Sequence, residues 1–131
     1  MSHSNPLNAK IAADSNYQLS CVATGNTNQR VTISQNGKTL AIFSGSGEGN
    51  QMKQTDGSTT CSGATRQSTQ LSLLFQHSIA PNGPFQNSTI NVDSTAGIVT
   101  TVGSEDSNTN QANGTLLTLV VTSVAAVAAG Q

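Results

Sequence analysis

The chain has 131 residues, of which 8% are charged, and a formal net charge of −1, and a chain of this length corresponds to one domain. Five Lys and Arg residues are too few for the basic stripe that phosphate binding requires, so the composition argues against a nucleic-acid partner. Ser, Thr, Asn, Gln and Gly dominate and charged helix-forming residues are scarce, which predicts an all-β domain with many turns.

The first clear strand signal covers residues 16–24. Its apolar residues recur with a period of two, which is typical of a strand with one buried face: Tyr17, Leu19, Cys21 and Ala23.

A hairpin is predicted over residues 30–45. The Asn-Gly dipeptide at 36–37 is the one that type I′ turns prefer, because both central residues need a positive φ. A two-residue loop then places four apolar side chains on one half-buried face in two cross-strand pairs, Ile33 opposite Leu40 and Val31 opposite Ile42.

Residues 44–68 are rich in Gly and poor in apolar residues, which predicts one or two short edge strands around Met52 and Cys61. A tight turn is expected at 80–85, and further strands at 69–79, 88–92, 97–102 and 115–124. We therefore predict a single domain, 1–131, that is an antiparallel β-sandwich of about eight or nine strands of Greek-key type. Residues 1–8 are expected to be flexible, and 125–131 to be a small-residue C-terminal tail.

Two cysteines, Cys21 and Cys61, are too few for a disulfide framework. Free thiols are the expectation, and one disulfide is the alternative if the two strands are adjacent. The apolar stretch from Leu116 is too short, and too interrupted by Thr and Ser, to insert into a membrane. Since no signal-peptide pattern begins the chain, we expect a cytoplasmic protein or one exported without a signal peptide.

Catalytic signals are weak. His3 lies near the terminus, and His77 has no acid beside it in the sequence. No nucleophile elbow, metalloprotease motif or Cys/His metal spacing occurs. We therefore expect that the protein is not an enzyme.

The stretch from Thr101 to Val121 contains the main candidate for a binding loop. Glu105 and Asp106 are followed by a run of Ser, Asn, Thr and Gln and then by a predicted strand. Oxygen-bearing side chains before a strand can hold a hard cation or can form a polar turn.

The residues Val-Gly-Ser-Glu-Asp at 102–106 resemble the start of the calcium loop in the LecB-like two-calcium lectins of bacteria. The segment 11–45 is also similar, without gaps, in its order of strand, turn, strand and hairpin, so that the resemblance covers about half of the chain. The resemblance implies a small β-sandwich that binds fucose- and mannose-type sugars through two neighbouring calcium ions.

At the level of single residues, the resemblance implies that Glu105 matches a calcium ligand and Asp106 the acid that the family directs toward the sugar. Five other positions match calcium ligands of the family. Asn113 is retained. At the other four the side chain differs: Thr24 stands in place of Asn, and Thr109, Gln111 and Gly114 each stand in place of Asp. Gly25, Asn26 and Thr27 occupy the stretch that tunes sugar choice in the family. The family also uses the C-terminal carboxylate of a partner chain, whereas the tail here extends several residues further.

The number of carboxylates in the loop determines what these changed positions imply for calcium binding. Calcium takes six to eight oxygens, and two neighbouring Ca²⁺ ions repel each other unless acids lie between them. The loop offers two carboxylates where the family pattern has five. We therefore expect no paired-calcium site and no cofactor. If one weak calcium ion binds, its expected ligands are Glu105, Asp106 and Asn113.

The sequence therefore predicts a lectin that binds glycans, of fucose or mannose type or another, through polar side chains of the loop 106–113 and the turn 24–28. The expected sugar-binding residues are Thr24, Gly25, Asn26, Thr27, Asp106, Thr109, Gln111 and Asn113. The alternative is a structural, self-assembling β-sandwich that has lost sugar binding. In either case we expect a homo-dimer or homo-tetramer.

Overall fold

The computed structural model describes residues 5–24, 27–79, 83–95, 99–105 and 114–123. These residues form ten strands and no helix. The strands are β1 (Leu7–Ile11), β2 (Ser15–Ala23), β3 (Asn28–Gln35), β4 (Lys38–Gly45), β5 (Cys61–Thr65), β6 (Thr69–Ser78), β7 (Gln86–Asn87), β8 (Thr89–Thr95), β9 (Val99–Glu105) and β10 (Thr115–Ser123).

The strands form two antiparallel sheets of five strands each. Sheet one has the order β1-β6-β3-β4, with β7 paired to β6, and sheet two has the order β5-β2-β10-β9-β8. In sheet two the consecutive strands β8, β9 and β10 lie side by side, and β2 follows beside β10. That order is the one found in a Greek key. The predicted all-β antiparallel sandwich is therefore confirmed.

The core lies between the two sheets and is built by alternation along the strands. The inward row of β2 is the one predicted from the sequence, since Tyr17, Leu19, Cys21 and Ala23 are all buried. The strands of sheet one also have inward-facing apolar side chains, and these pack with those of sheet two in one apolar cluster. Its largest fully buried side chains include Phe43, Phe75 and Ile11.

The β3–β4 hairpin has the predicted turn but not the predicted register. Asn36 and Gly37 both have positive φ, 53° and 78°, as a type I′ turn requires. The pairing shifts beyond Ser34, so that Leu40 is an extra residue opposite the bond between Ile33 and Ser34. Such a bulge inverts the faces of the strand beyond it.

The predicted pairs Ile33–Leu40 and Val31–Ile42 are therefore wrong. Ile33 lies opposite Ala41, and Val31 lies opposite Phe43. Ala41 and Phe43 are buried, whereas Leu40 and Ile42 are 37% and 46% exposed on the outer face.

The Gly-rich segment contributes one strand, the edge strand β5 that begins at Cys61. Met52 lies between two isolated bridges, at Gln51 and Lys53, rather than in a strand, and it is fully buried. β5 pairs with β2 and places Cys61 opposite Leu19, so the two cysteine-bearing strands are adjacent. Cys21 and Cys61 are nevertheless free thiols, and burial raises the pKa of both.

Strands β1 and β7 have no counterpart in the sequence prediction, although β1 includes Leu7 and Asn8 of the segment that we expected to be flexible. Just before β1, the amide of Asn5 acts like a further peptide group of the ladder. It donates to the carbonyl of Phe75 (2.7 Å) and accepts from the Phe75 N–H (3.1 Å). Among the described elements there is no helix long and apolar enough to cross a membrane.

Candidate functional site

The two segments that the resemblance points to meet at one end of the sandwich. β2 ends and β10 begins at the pair Ala23–Thr115. One residue further out, the N–H of Thr24 donates to the carbonyl of Gly114 (2.7 Å). The N–H of Gly114 donates in turn to the Thr24 hydroxyl (2.9 Å). This pair of hydrogen bonds, which we call the Thr24–Gly114 bridge, fixes the base of the early turn to the base of the 106–113 loop.

The backbone at Gly114 lies directly against Ser104. A Cβ atom at this position would lie 2.6 Å from the carbonyl carbon of Ser104 and closer still to its carbonyl oxygen. Real Cβ atoms do not approach backbone atoms this closely, so that any side chain at 114 requires the backbone to move. Gly103, one residue before Ser104, is different, because a Cβ there meets nothing within 4 Å.

A layer of buried polar side chains lies beneath these loop bases. At this end of the sandwich, the inward apolar rows of sheets one and two continue into polar residues. We call this set the polar layer; it consists of Gln29, His77, Ser88, Ser104 and Thr115, each at most 5% exposed. Because buried polar groups need partners, each member of the layer requires a hydrogen-bond partner.

Gln29 connects the two candidate segments within this layer. Its amide nitrogen donates to the Thr27 hydroxyl (2.7 Å), and its amide oxygen accepts from the Thr115 hydroxyl (3.3 Å). The Ser104 hydroxyl accepts from the Thr115 N–H (2.7 Å). The early turn, the end of β9 and the start of β10 are thus joined from below as well as by the Thr24–Gly114 bridge.

His77 and Ser88 form the other half of the layer. The Ser88 oxygen lies 2.8 Å from Nδ1 of His77, and both side chains are buried. A serine beside a histidine is one element of a nucleophilic site. Here, however, the hydroxyl is buried and is not presented to a substrate.

The structure describes some of the predicted site residues. Thr24 and Thr27 lie at the loop bases described above. Glu105 ends β9 opposite Thr89, at the same end of the sandwich. The other predicted residues, Gly25, Asn26, Asp106, Thr109, Gln111 and Asn113, lie outside the described residues.

Among the residues that the structure describes, no group of three or more His, Cys, Asp or Glu side chains is arranged so that it could hold a metal ion. The predicted calcium ligands Asp106 and Asn113 are not part of that set, so the calcium expectation remains a prediction.

Sequence reasoning missed the polar layer. The sequence does contain a signal for this layer in the alternation of buried and exposed residues, because Gln29 continues the inward-facing row of Val31 and Ile33. Similarly, Thr115 precedes Leu117 and Leu119 in the inward row of β10. A polar residue in phase with a buried row, close to a predicted binding loop, is thus a pattern that points to a supporting residue.

No protein-family model and no curated protein matches the chain at the level of sequence. Solved structures do match. The Chromobacterium violaceum lectin CV2L, in complex with α-methyl-fucoside, is 19% identical with a TM-score of 0.64, over 89% of this chain and 96% of that one.

A Ralstonia solanacearum high-affinity mannose-binding lectin is 19% identical with a TM-score of 0.58, over 86% and 92% of the two chains. The C-terminal domain of the BC2L-C lectin of Burkholderia cenocepacia is 15% identical with a TM-score of 0.59, over 91% and 96%. At these identities the matches establish the fold. They confirm the resemblance to fucose- and mannose-binding lectins at that level and extend it to nearly the whole chain.

Proposed function

We propose that this protein is a carbohydrate-binding lectin whose sugar site lies at the loop end of the sandwich, between the turn 24–27 and the segment 105–114. The fold shared with lectins that bind a fucoside and mannose supports this assignment. The observation that carries it is the double connection of the two segments, through the Thr24–Gly114 bridge and through Gln29. Loops held by a rigid scaffold are suited to present polar groups to a ligand.

We further propose that sugar binding here does not use a pair of calcium ions. The segment 103–115 contains two carboxylates, Glu105 and Asp106, which cannot compensate the four positive charges of two neighbouring Ca²⁺ ions. Two positions that match ligands in the family are also used differently. The Thr24 hydroxyl accepts a hydrogen bond from the Gly114 N–H, and position 114 has no room for a side chain. The donor set therefore does not fit the paired-calcium group.

Sugar hydroxyls are instead bound directly by polar side chains in this proposal. Asp106, Thr109, Gln111 and Asn113 supply groups from the long loop, and the 25–27 turn adds the Asn26 amide and the Thr27 hydroxyl. Such hydrogen bonds contribute about 0.5–1.5 kcal/mol each, so we expect monosaccharide affinity to be modest. An oligomer with several sites would raise the avidity.

A second candidate function is self-assembly without sugar binding. It is favoured by the outer face of β10, where Leu116 and Val120 are 43% and 38% exposed. Both lie on the same side of the strand, since they are four residues apart. An apolar pair on an outer sheet face is suited to packing against a second copy.

A glycan array with and without EDTA, together with metal analysis of the purified protein, tests the proposal. We expect binding that survives EDTA. In calorimetry with methyl α-mannoside and methyl α-fucoside, we expect an Asn26→Ala variant to lose up to about tenfold in affinity, because one direct hydrogen bond is removed. Asn16→Ala, an exposed change at the opposite end of β2, is the matched control.

Two outcomes contradict the proposal. Binding that EDTA abolishes, with two calcium ions per chain, overturns the calcium-free part and keeps the lectin. No binding to any glycan, together with a defined oligomer in light scattering, overturns the lectin and supports self-assembly.

A further inference from the structure

Arg30 is held on the outer face of sheet one by two uncharged partners. Its Nε and Nη2 atoms both donate to the Gln76 side-chain oxygen, at 3.2 and 2.8 Å. Its Cζ atom lies 4.0 Å from the centre of the Phe85 ring. Gln76 donates in turn to the side-chain oxygen of Asn87 (3.1 Å). Arg30, Gln76 and Asn87 are register partners on β3, β6 and β7 and form one row across the sheet. We call these three residues, together with Phe85, the Arg30 cluster.

Within the part of the chain that the structure describes, the guanidinium contacts these uncharged partners rather than a carboxylate. The segments that carry the cluster, 25–35 and 76–90, contain no Asp or Glu. One amide oxygen takes the Nε–Nη2 edge of the guanidinium, and the ring covers one face. The remaining donors, on Nη1 and the second hydrogen of Nη2, form the two-pronged edge that matches the two oxygens of a carboxylate.

The Arg30 cluster is also preorganised for binding a ligand. Arg30 is half-buried, and its plane is fixed by the ring and by two hydrogen bonds. A guanidinium held in this way loses less side-chain freedom on binding than an exposed one does. A charge-assisted, two-pronged hydrogen bond at a partly desolvated cation is stronger than one between neutral groups.

The position of the cluster points to the class of ligand. Arg30 lies three residues beyond Thr27, on the outer wall of the same end of the sandwich. Asn28, on the outer side of β3 between them, donates to the carbonyls of Ser78 and Ile79. The exposed amide of Asn87, which accepts from Gln76, lies in the same row and can bond a hydroxyl group. A ligand with one carboxylate and several hydroxyls suits this surface.

We propose that the Arg30 cluster is a subsite for an acidic saccharide, in which the guanidinium binds the carboxylate of a uronic-acid-type residue. The inference rests on the proposed lectin function, since it places an acidic residue of a glycan beside the site at the loop end.

The chain offers a direct readout, because Arg30 and Arg66 are its two arginines. Arg66 is exposed in the turn between β5 and β6, at the opposite end of the sandwich. In ¹⁵N-labelled protein, the two Nε–H resonances are followed during titration with methyl β-glucuronoside, methyl β-glucoside and acetate at constant ionic strength. We expect a saturating shift of the Arg30 resonance with the glucuronoside, at least about fivefold tighter than with either other probe.

Variants test the same point by calorimetry with the glucuronoside. Arg30→Gln is expected to weaken binding about tenfold. Arg30→Lys keeps the charge but lacks the fork, so its loss is intermediate. Arg66→Gln is the matched control and should bind as the original chain does. Thermal unfolding establishes that each variant is folded, and Arg30→Lys serves if Arg30→Gln is not.

Five outcomes overturn this inference. Acetate binding as tightly as the glucuronoside indicates an anion site without sugar recognition. Equal shifts at both arginines indicate an ionic effect. Unchanged glucuronoside affinity in folded Arg30→Gln removes the residue from the site. Neutral glycans bound on the array without any preference for the glucuronoside contradict the subsite and leave the lectin proposal intact, whereas failure of every glycan contradicts both.

Discussion

Replacement of Gly114 by Ala tests whether the close contact between the two loop bases holds the candidate site together. The added methyl group falls within 2.6 Å of the carbonyl carbon and the hydroxyl oxygen of Ser104. Ser104 is buried and is held by its bond from the Thr115 N–H. Neither backbone can therefore move without disturbing a hydrogen bond.

The expected cost follows from two contributions. Forcing an extra methyl group into a packed region costs about 1–3 kcal/mol. A backbone shift at 114 also weakens the Thr24–Gly114 bridge, and each of its hydrogen bonds contributes about 1 kcal/mol. We expect a loss of about 2–4 kcal/mol in the free energy of unfolding, which corresponds to a fall of roughly 10 °C in Tm for a chain of this size.

Urea unfolding followed by circular dichroism measures the change, and amide hydrogen exchange at Thr24 reports on the bridge. Gly103→Ala is the matched control, because its Cβ meets nothing within 4 Å. Since Ala restricts the unfolded chain, this control is expected to be neutral or to stabilise by up to about 1 kcal/mol. Equal unfolding free energies in the two variants, with unchanged exchange at Thr24, would refute the reasoning.

Two further changes test the polar layer and the buried thiols. Gln29→Leu removes the hydrogen bonds of the connecting amide to Thr27 and Thr115 and should lower the free energy of unfolding by about 1–3 kcal/mol. The control Gln18→Leu, on the exposed side of β2, should change the free energy of unfolding by less than about 0.5 kcal/mol. Equal effects of the two substitutions contradict the role of Gln29. Burial raises the pKa of the Cys21 and Cys61 thiols, because it favours their neutral forms. The stability that results is fully present below the unfolded thiol pKa of about 8.5, and it is lost as the pH rises above that value. Urea unfolding should therefore show a decline in stability between about pH 8 and 10 that is shallower in Cys21→Ala; identical slopes would show that the thiol does not titrate in this way.

The β3–β4 hairpin shows how far local sequence determines this fold. The Asn-Gly dipeptide at 36–37 predicts the turn correctly, because its conformation depends on those residues alone. The apolar run 40–43 does not determine which side chains face inward, because it is apolar on both faces. The opposing sheet resolves that ambiguity through a bulge at Leu40 that buries Phe43, and local periodicity does not contain this information.

In the candidate site too, some features follow from the sequence and others depend on tertiary contacts. The position of the two loops follows from the resemblance, and Thr24 and Gly114 are indeed brought together. The connecting role of Gln29 depends on Thr115, 86 residues away, and the Arg30 cluster depends on Gln76, 46 residues away. Such pairs have no signal in local spacing.

By itself, the sequence determines that the chain is an all-β domain, where most of its strands and turns lie, and that the 105–114 segment is poor in carboxylates. These properties depend on composition and on residues that are neighbours in the chain. Only the tertiary structure decides the register of β4, the approach of Gly114 to Ser104, the polar layer and the contacts of Arg30 with Gln76 and Phe85. Each of these arises where strands distant in sequence pack together, so its energetics depend on the assembled sandwich rather than on any one segment.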